Sequence, residues 1–107
     1  MADNLDMFWS ELPSVMREFP DILAQIEDDE GEIFIASIEC RRQGQGIGTA
    51  FMTRLSELAD SLGLDLTADP AESGGDRLVR WYEGLGFSFE NSYRMIRFAS
   101  DSLSPRF

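Results

Sequence analysis

The chain has 107 residues, 43% of them hydrophobic, which is enough for one domain with a single buried core. Its 20 acidic residues outnumber nine basic ones, all Arg, and the net charge of −11 argues against binding to nucleic acid or to anionic membranes. The chain has no His and one cysteine, Cys40, so we expect no internal disulfide and no metal site. It shows no long apolar run and no charged-then-apolar leader, which favours a cytoplasmic protein.

The first 20 residues predict a helical cover. Apolar residues recur at intervals of three and four over residues 5–19, as on one face of a helix, and Asp6 is a candidate N-cap. Pro13 lies inside this pattern and is expected to break or kink the helix into two short pieces. Pro20 ends the helical region.

The next segment predicts a β-hairpin. Residues 21–27 alternate moderately between apolar and polar, and residues 32–40 are rich in Ile and Phe. The sequence DDEG between them is a turn signal, so we expect two antiparallel strands, the second well buried.

The second half of the chain alternates helices and strands. Residues 49–62 form an amphipathic pattern closed by Gly63, and residues 64–68 are strand-like. A second helix is expected at 76–85, followed by one or two strands within 87–98.

This order predicts an α/β (α+β) fold with a mixed central sheet and flanking helices, because a strand–helix–strand unit makes the sheet partly parallel. We expect a single small domain over residues 1–107. The helical cover would occupy 1–20, the sheet and its motifs 21–98, and a loosely ordered tail 99–107.

The glycine-rich turn QGQGIGT at residues 43–49 lies between a strand and a helix. Backbone N–H groups at such a helix N-terminus favour an anion, and glycines let a phosphate approach closely. A nucleotide P-loop needs Gly-Lys-Ser/Thr, and the chain has no Lys. The GxGxxG dinucleotide pattern also fails, because Thr49 stands where its last glycine would be.

The turn does resemble the Q/R-x-x-G-x-G/A signature of the GNAT superfamily of acetyl-CoA-dependent N-acetyltransferases. A second block, WYEGLGF at residues 81–87, is similar to that family's Y-E-x-L-G-F motif and follows one strand and one helix later, as in the family. The resemblance covers about residues 32–98 and implies a GNAT-like domain that uses acetyl-CoA.

The resemblance also implies a set of cofactor contacts. The pantetheine arm would lie along the strand before the turn, and the turn would bind the diphosphate through its N–H groups. The implied cofactor-binding residues are Ile38, Gln43, Gly44, Gln45, Gly46, Ile47, Gly48 and Thr49.

The resemblance implies two catalytic residues. Tyr82, four residues before the motif glycine, would protonate the departing thiolate, and Glu32, at the start of the central strand, would be the base that deprotonates the amine. Glu39, which lies next to Ile38, is the alternative base. Cys40 lies near the expected thioester, but direct transfer is favoured over an acyl-cysteine.

The implied function is transfer of acetyl from acetyl-CoA to the amine of an unidentified acceptor. The acidic composition favours a cationic acceptor. Two departures from the family keep an alternative open, an acyl-CoA-binding or protein-interaction module with little or no catalysis. Gly75 replaces a frequent cofactor-contacting Asn, and only 42 residues precede the turn. A reduced sheet would expose an edge, which a homodimer would cover.

Overall fold

The computed structural model describes residues 3–42, 46–70 and 75–99. Three helices flank a five-stranded sheet in this part of the chain: α1 (Asn4–Glu18), α2 (Ile47–Ser61) and α3 (Gly75–Gly84). The strands are β1 (Ile22–Asp29), β2 (Glu32–Cys40), β3 (Leu66–Ala68), β4 (Ser88–Phe89) and β5 (Met95–Arg97). None of the helices described is both long and apolar enough to cross a lipid bilayer.

The sheet is mixed, with strand order β1-β2-β3-β5-β4, so the predicted α+β fold with a mixed central sheet is confirmed. Only β2 and β3 run parallel, because α2 carries the chain across the sheet between them. The other neighbours pair antiparallel. Of the one or two strands expected within 87–98, the structure has two, β4 and β5.

Helix α1 is continuous, so the predicted break at Pro13 is wrong. Proline removes one backbone hydrogen bond, but Phe8 and Val15 on either side of it are at most 1% exposed and hold both halves of the helix on the core. The predicted N-cap is also wrong by one turn. Asp3 is the cap, and its Oδ1 accepts a hydrogen bond from the Asp6 N–H at 2.8 Å.

The hairpin forms, with a two-residue connection at Glu30 and Gly31. However, β2 is less buried than predicted, because only Ile33 and Ile35 in it are buried. Glu30 and Gly31 both have positive φ, 54° and 88°, as a type I′ turn requires. Oδ1 of Asp28 accepts a hydrogen bond from the Gly31 N–H at 2.8 Å and stabilises the turn. The hairpin places β1 at one edge of the sheet.

Helix α2 starts two residues earlier than predicted and ends at the predicted glycine. Gly63 has φ +71°, its N–H donates to the Asp60 carbonyl, and the Leu64 N–H donates to the Ala59 carbonyl. This pair of bonds is a Schellman motif, which needs a residue that tolerates positive φ. Helix α2 packs against α1, β1 and β2, so Phe51 and Leu55 lie at the centre of the core.

Candidate functional site

The candidate site is a cleft where β2 and β3 part. The two strands pair only from Ile33 to Ile35, opposite Leu66 to Ala68. Strand β3 ends there, whereas β2 continues to Cys40. In the part of the chain described, the last five residues of β2 have no strand partner on that side. The edge they leave is open to a ligand.

The cleft has two contiguous parts, which share Ile38, Leu78 and Trp81 as walls. The part that we call the tyrosine end has a volume of about 250 Å³, and the part that we call the helix end about 320 Å³. Besides the shared walls, the tyrosine end is lined by Ile35, Ala36, Ser37, Glu39, Ala68, Asp69, Pro70 and Tyr82. The helix end is lined by Cys40, Arg42, Gly46, Ile47, Gly48 and Thr49.

The helix end suits an anion. Gly46 is the N-cap of α2, with φ +71°, and it offers no side-chain cap. The N–H groups of the first helical turn have no partner inside the helix, and the helix dipole adds partial positive charge there. Of the described residues that line this end, Arg42 alone is charged, and its Nη1 lies 3.8 Å from Oδ2 of Asp21. No acidic residue is among the described residues that line this end, although the chain has a net charge of −11.

Trp81 joins α3 to the start of α2. Its indole Nε1–H donates a hydrogen bond to Oγ1 of Thr49 at 3.0 Å. A Cβ placed on Gly48 would lie 3.6 Å from Cζ2 of Trp81, so any side chain at that position would touch the indole. Trp81 thus forms a wall of both ends of the cleft and fixes the spacing between α2 and α3.

Tyr82 lies in the wall of the tyrosine end. It is 4% exposed and packs edge-on against Trp81 and Phe87, with ring centroids 5.1 and 4.9 Å away. Among the described residues its hydroxyl has no hydrogen-bond partner. Burial raises the pKa of Tyr82 to about 12, so the phenol keeps its proton at neutral pH.

Three carboxylates lie on or near β2, and they differ in surroundings. Glu39 is exposed and lines the tyrosine end. Asp69 also lines it, but Nε and Nη2 of Arg94 donate to its two oxygens at 2.8 and 3.2 Å. Glu32 is at the hairpin end of β2, and its Oε1 lies 3.8 Å from Nη1 of Arg94.

A third cavity, of about 300 Å³, lies between α1 and the hairpin. It shares Ser37 and Glu39 with the tyrosine end of the cleft. We call it the hairpin groove; its other lining residues are Met16, Ile22, Leu23, Ala24 and Gln25. Glu39 is the only charged residue among the described residues of this lining, and it is shared with the tyrosine end of the cleft.

The chain is similar to a mycothiol acetyltransferase of Kineococcus radiotolerans, with 37% identity over 83 residues. The match covers 69% of this chain and 26% of the relative, so the chain spans about a quarter of the length of the curated relative it matches. No family model matches the chain, and no solved structure matches it.

The cleft brings together most of the predicted site residues that the structure describes. Tyr82 and Ile38 lie in its walls, and the predicted residues 46–49 all line the helix end. Glu32 lines neither end, and it is six residues, or roughly 20 Å, from Ile38 along β2. Gln43, Gly44 and Gln45 lie outside the described residues.

Sequence reasoning assigned no site role to three residues that the cleft includes. Trp81 is half-buried and forms part of the wall of both ends. Arg42 and Leu78 carried no signal beyond their positions beside the two motifs. A Trp directly before the motif Tyr was the one cue, because α3 presents both residues to the same cleft.

Proposed function

We propose that the chain belongs to the GNAT superfamily and transfers an acetyl group from acetyl-CoA directly to the amine of an acceptor. The observation that carries the proposal is the cleft, which runs from a helix N-terminus with no acid among its described lining residues to a buried tyrosine, along an unpaired strand edge. The similarity to an acetyltransferase and the two sequence motifs support it independently.

The cofactor would lie along the whole cleft. Its diphosphate would accept hydrogen bonds from the first turn of α2 at Gly46–Thr49, with Arg42 as a nearby cation. The pantetheine arm would follow residues 36–40 of β2, whose free edge offers backbone groups to its amides. The thioester would then lie at the tyrosine end, beside Tyr82.

In the reaction, the neutral amine nitrogen attacks the thioester carbonyl carbon, and the C–S bond breaks to give the amide and the CoA thiolate. The thiolate takes up one proton and the amine gives up one. Tyr82 is the donor that we assign to the thiolate. With a phenol pKa of about 12 and a thiol pKa near 8.5, complete transfer is uphill by about 5 kcal/mol. Tyr82 therefore acts chiefly as a hydrogen-bond donor to the developing charge, and solvent supplies the final proton.

For the base we favour Glu39, because it lines the tyrosine end and Glu32 does not. The amine acceptor would enter through the hairpin groove, which ends at the same carboxylate. A carboxylate at that position also suits a cationic acceptor and agrees with the acidic composition. Glu32 remains the alternative base.

The experiment is isothermal titration of the wild-type protein with acetyl-CoA, alongside a matched pair of variants at Gly46. Asn and Asp both tolerate the positive φ of this position, and nothing lies within 4 Å of an added Cβ. The two differ only in charge, so Gly46→Asp should weaken acetyl-CoA binding at least about tenfold more than Gly46→Asn, from repulsion of the diphosphate. Equal affinities would contradict the placement of the cofactor.

Catalysis is tested separately by the release of free CoA in the presence of a panel of polyamines, amino sugars and lysine peptides. Turnover above the rate without amine supports the enzyme. Tight binding of acetyl-CoA without turnover of any amine would favour the non-catalytic acyl-CoA-binding module instead. If acetyl-CoA does not bind at millimolar concentration, both the enzyme and the acyl-CoA-binding module are contradicted.

A further inference from the structure

We propose that Trp81 is a positioning residue for the phosphate end of the cofactor. Its indole holds the Thr49 hydroxyl so that the hydroxyl hydrogen is directed to the bound diphosphate. The inference rests on the proposed function, because it concerns the same cofactor, but it adds a residue and a role that neither motif implies.

The first step is the chemistry of the hydroxyl. A threonine hydroxyl accepts hydrogen bonds on its oxygen and donates one. Nε1–H of Trp81 occupies an acceptor position of Oγ1 at 3.0 Å. An indole nitrogen can only donate, so the hydrogen of Thr49 cannot point at it and must point elsewhere. Trp81 thus reduces the orientations of this hydroxyl.

The second step is the location of the free hydrogen. Thr49 is exposed, lies in the first turn of α2 and lines the helix end of the cleft. Among the described residues its hydroxyl has no other hydrogen-bond partner. An anion at this helix N-terminus is therefore the acceptor that the geometry offers, and a hydrogen bond to an ionised oxygen is stronger than one to a neutral group.

The third step is the position of the indole itself. Trp81 lies where a Cβ on Gly48 would touch it, and it lines both ends of the cleft. It stands next to Tyr82 on α3, with the two ring centroids 5.1 Å apart. Helix α3 therefore carries both the indole of Trp81, which orients the phosphate contact, and the phenol of Tyr82, which would lie at the thioester. Because the two residues are adjacent in α3, the helix fixes the distance between their side chains.

The test is the affinity of Trp81→Phe and Thr49→Val for CoA and for pantetheine, which lacks the phosphates. Thr49→Val should bind CoA about 10- to 150-fold more weakly than wild type, as expected for loss of one hydrogen bond to a charged group, and Trp81→Phe at least about threefold more weakly. Affinity for pantetheine should change less than about twofold. The double variant should bind CoA no more weakly than Thr49→Val, because both substitutions remove the same interaction.

Two controls separate positioning from a structural role. Thr49→Ser keeps the hydroxyl and should bind CoA close to wild-type affinity. Trp9→Phe makes the same chemical change at the other tryptophan, whose Nε1 is buried without a partner among the described residues, and should leave CoA affinity unchanged. Thermal unfolding of each variant checks that the fold persists.

The outcomes are distinguishable. If wild type binds CoA and Trp81→Phe binds it equally well, the inference is overturned and the proposed function stands. Equal losses for CoA and pantetheine mean that Trp81 only shapes the cleft, which also overturns the inference. If wild type binds neither compound, the proposed function fails and the inference with it.

Discussion

At the scale of single residues, the burial of Tyr82 gives the protein a measurable alkaline sensitivity. Burial raises the pKa of this phenol from 10.0 to about 12. The unfolded chain loses the proton near pH 10, whereas the folded chain keeps it up to about pH 12. The folded state therefore binds more protons between these values, and stability falls as the pH rises from 10 to 12.

We predict that the free energy of unfolding falls by about 3 kcal/mol over this range because of Tyr82 alone. Urea unfolding of wild type and Tyr82→Phe at several pH values measures the difference. The variant should lose less stability on going to pH 12. Tyr93→Phe, at a tyrosine 48% exposed, is the control and should behave as wild type. If the free energy of unfolding of Tyr82→Phe falls with pH as steeply as that of wild type, the prediction is contradicted.

The two candidate bases give a second prediction. Glu39→Gln should lower kcat by about 100-fold or more, the usual range for loss of a general base, with a small change in the KM for acetyl-CoA. Glu32→Gln should keep kcat within about threefold, since that carboxylate lies near Arg94 at the hairpin end. Steady-state kinetics with the best amine of the panel decides. The reverse ranking would restore Glu32 as the base.

Residue identities in the motifs were readable from the sequence, but their partners were not. The turn glycines and Tyr82 stand at short, fixed spacings, so a pattern can locate them. The bond between Trp81 and Thr49 joins residues 32 positions apart, and it depends on how α3 packs on α2. The sequence also could not show that Asp3 rather than Asp6 caps α1, because the N-cap is distinguished by its backbone conformation and not by its residue type.

At the scale of elements, Arg94 connects three segments that the cleft depends on. Besides its two bonds to Asp69, it donates from Nη1 to Oδ2 of Asp29 at 3.1 Å, and its guanidinium lies 4.8 Å from the ring centroid of Phe34. Its side chain is only 18% exposed. The hydrogen bond to Asp69 and its neighbouring charges raise the pKa of Arg94 further above its ordinary value. Arg94 thus links the end of β3 to the hairpin through hydrogen bonds.

Arg94→Met should destabilise the protein by about 2–4 kcal/mol, because it leaves Asp69 part-buried and unpaired. Arg54→Met is the matched control. Arg54 pairs with Glu18 at 3.3 Å, but the two side chains are 39% and 46% exposed, so its loss should cost under about 0.5 kcal/mol. Chemical denaturation of both variants at neutral pH provides the comparison. Similar losses would mean that burial of the Arg94 pair adds nothing.

Element types and order were predictable from periodicity, and the helix ends at Gly63 and Gly86 from the need for positive φ. The continuity of α1 across Pro13 was not, because a local rule opposed it and burial of both halves overrode the rule. The sequence also did not predict that β3 is so short, because residues 64–68 all have a strand-like pattern. Its early end is what opens the cleft.

At the scale of the whole molecule, the net charge of −11 acts in opposite directions on the two proposed substrates. It repels an anionic cofactor at long range, although the helix end attracts phosphates locally. It attracts a cationic amine at all distances. Salt screens long-range fields beyond about 10 Å at 0.1 M ionic strength.

We predict that the association rate of acetyl-CoA rises as NaCl is increased from about 0.02 to 0.2 M, while the KM of a polyamine rises as well because its attraction weakens. Stopped-flow binding and steady-state kinetics over the same salt series measure the two effects. A slower association of acetyl-CoA at higher salt would mean that the local cationic cavity, rather than the overall charge, governs the approach.

The part of β2 that β3 leaves unpaired links ligand binding to the completeness of the sheet. Amides of residues 36–40 that face away from β1 have no strand to protect them, so they should exchange hydrogen with solvent quickly in the free protein. A bound pantetheine arm would take the place of the missing strand and slow that exchange, whereas Ile33–Ile35 are already paired and should change little. Exchange measured with and without acetyl-CoA would thus map the ligand residue by residue. In that case the cofactor would extend the sheet as an added edge strand, and this part of β2 would be most rigid in the complex.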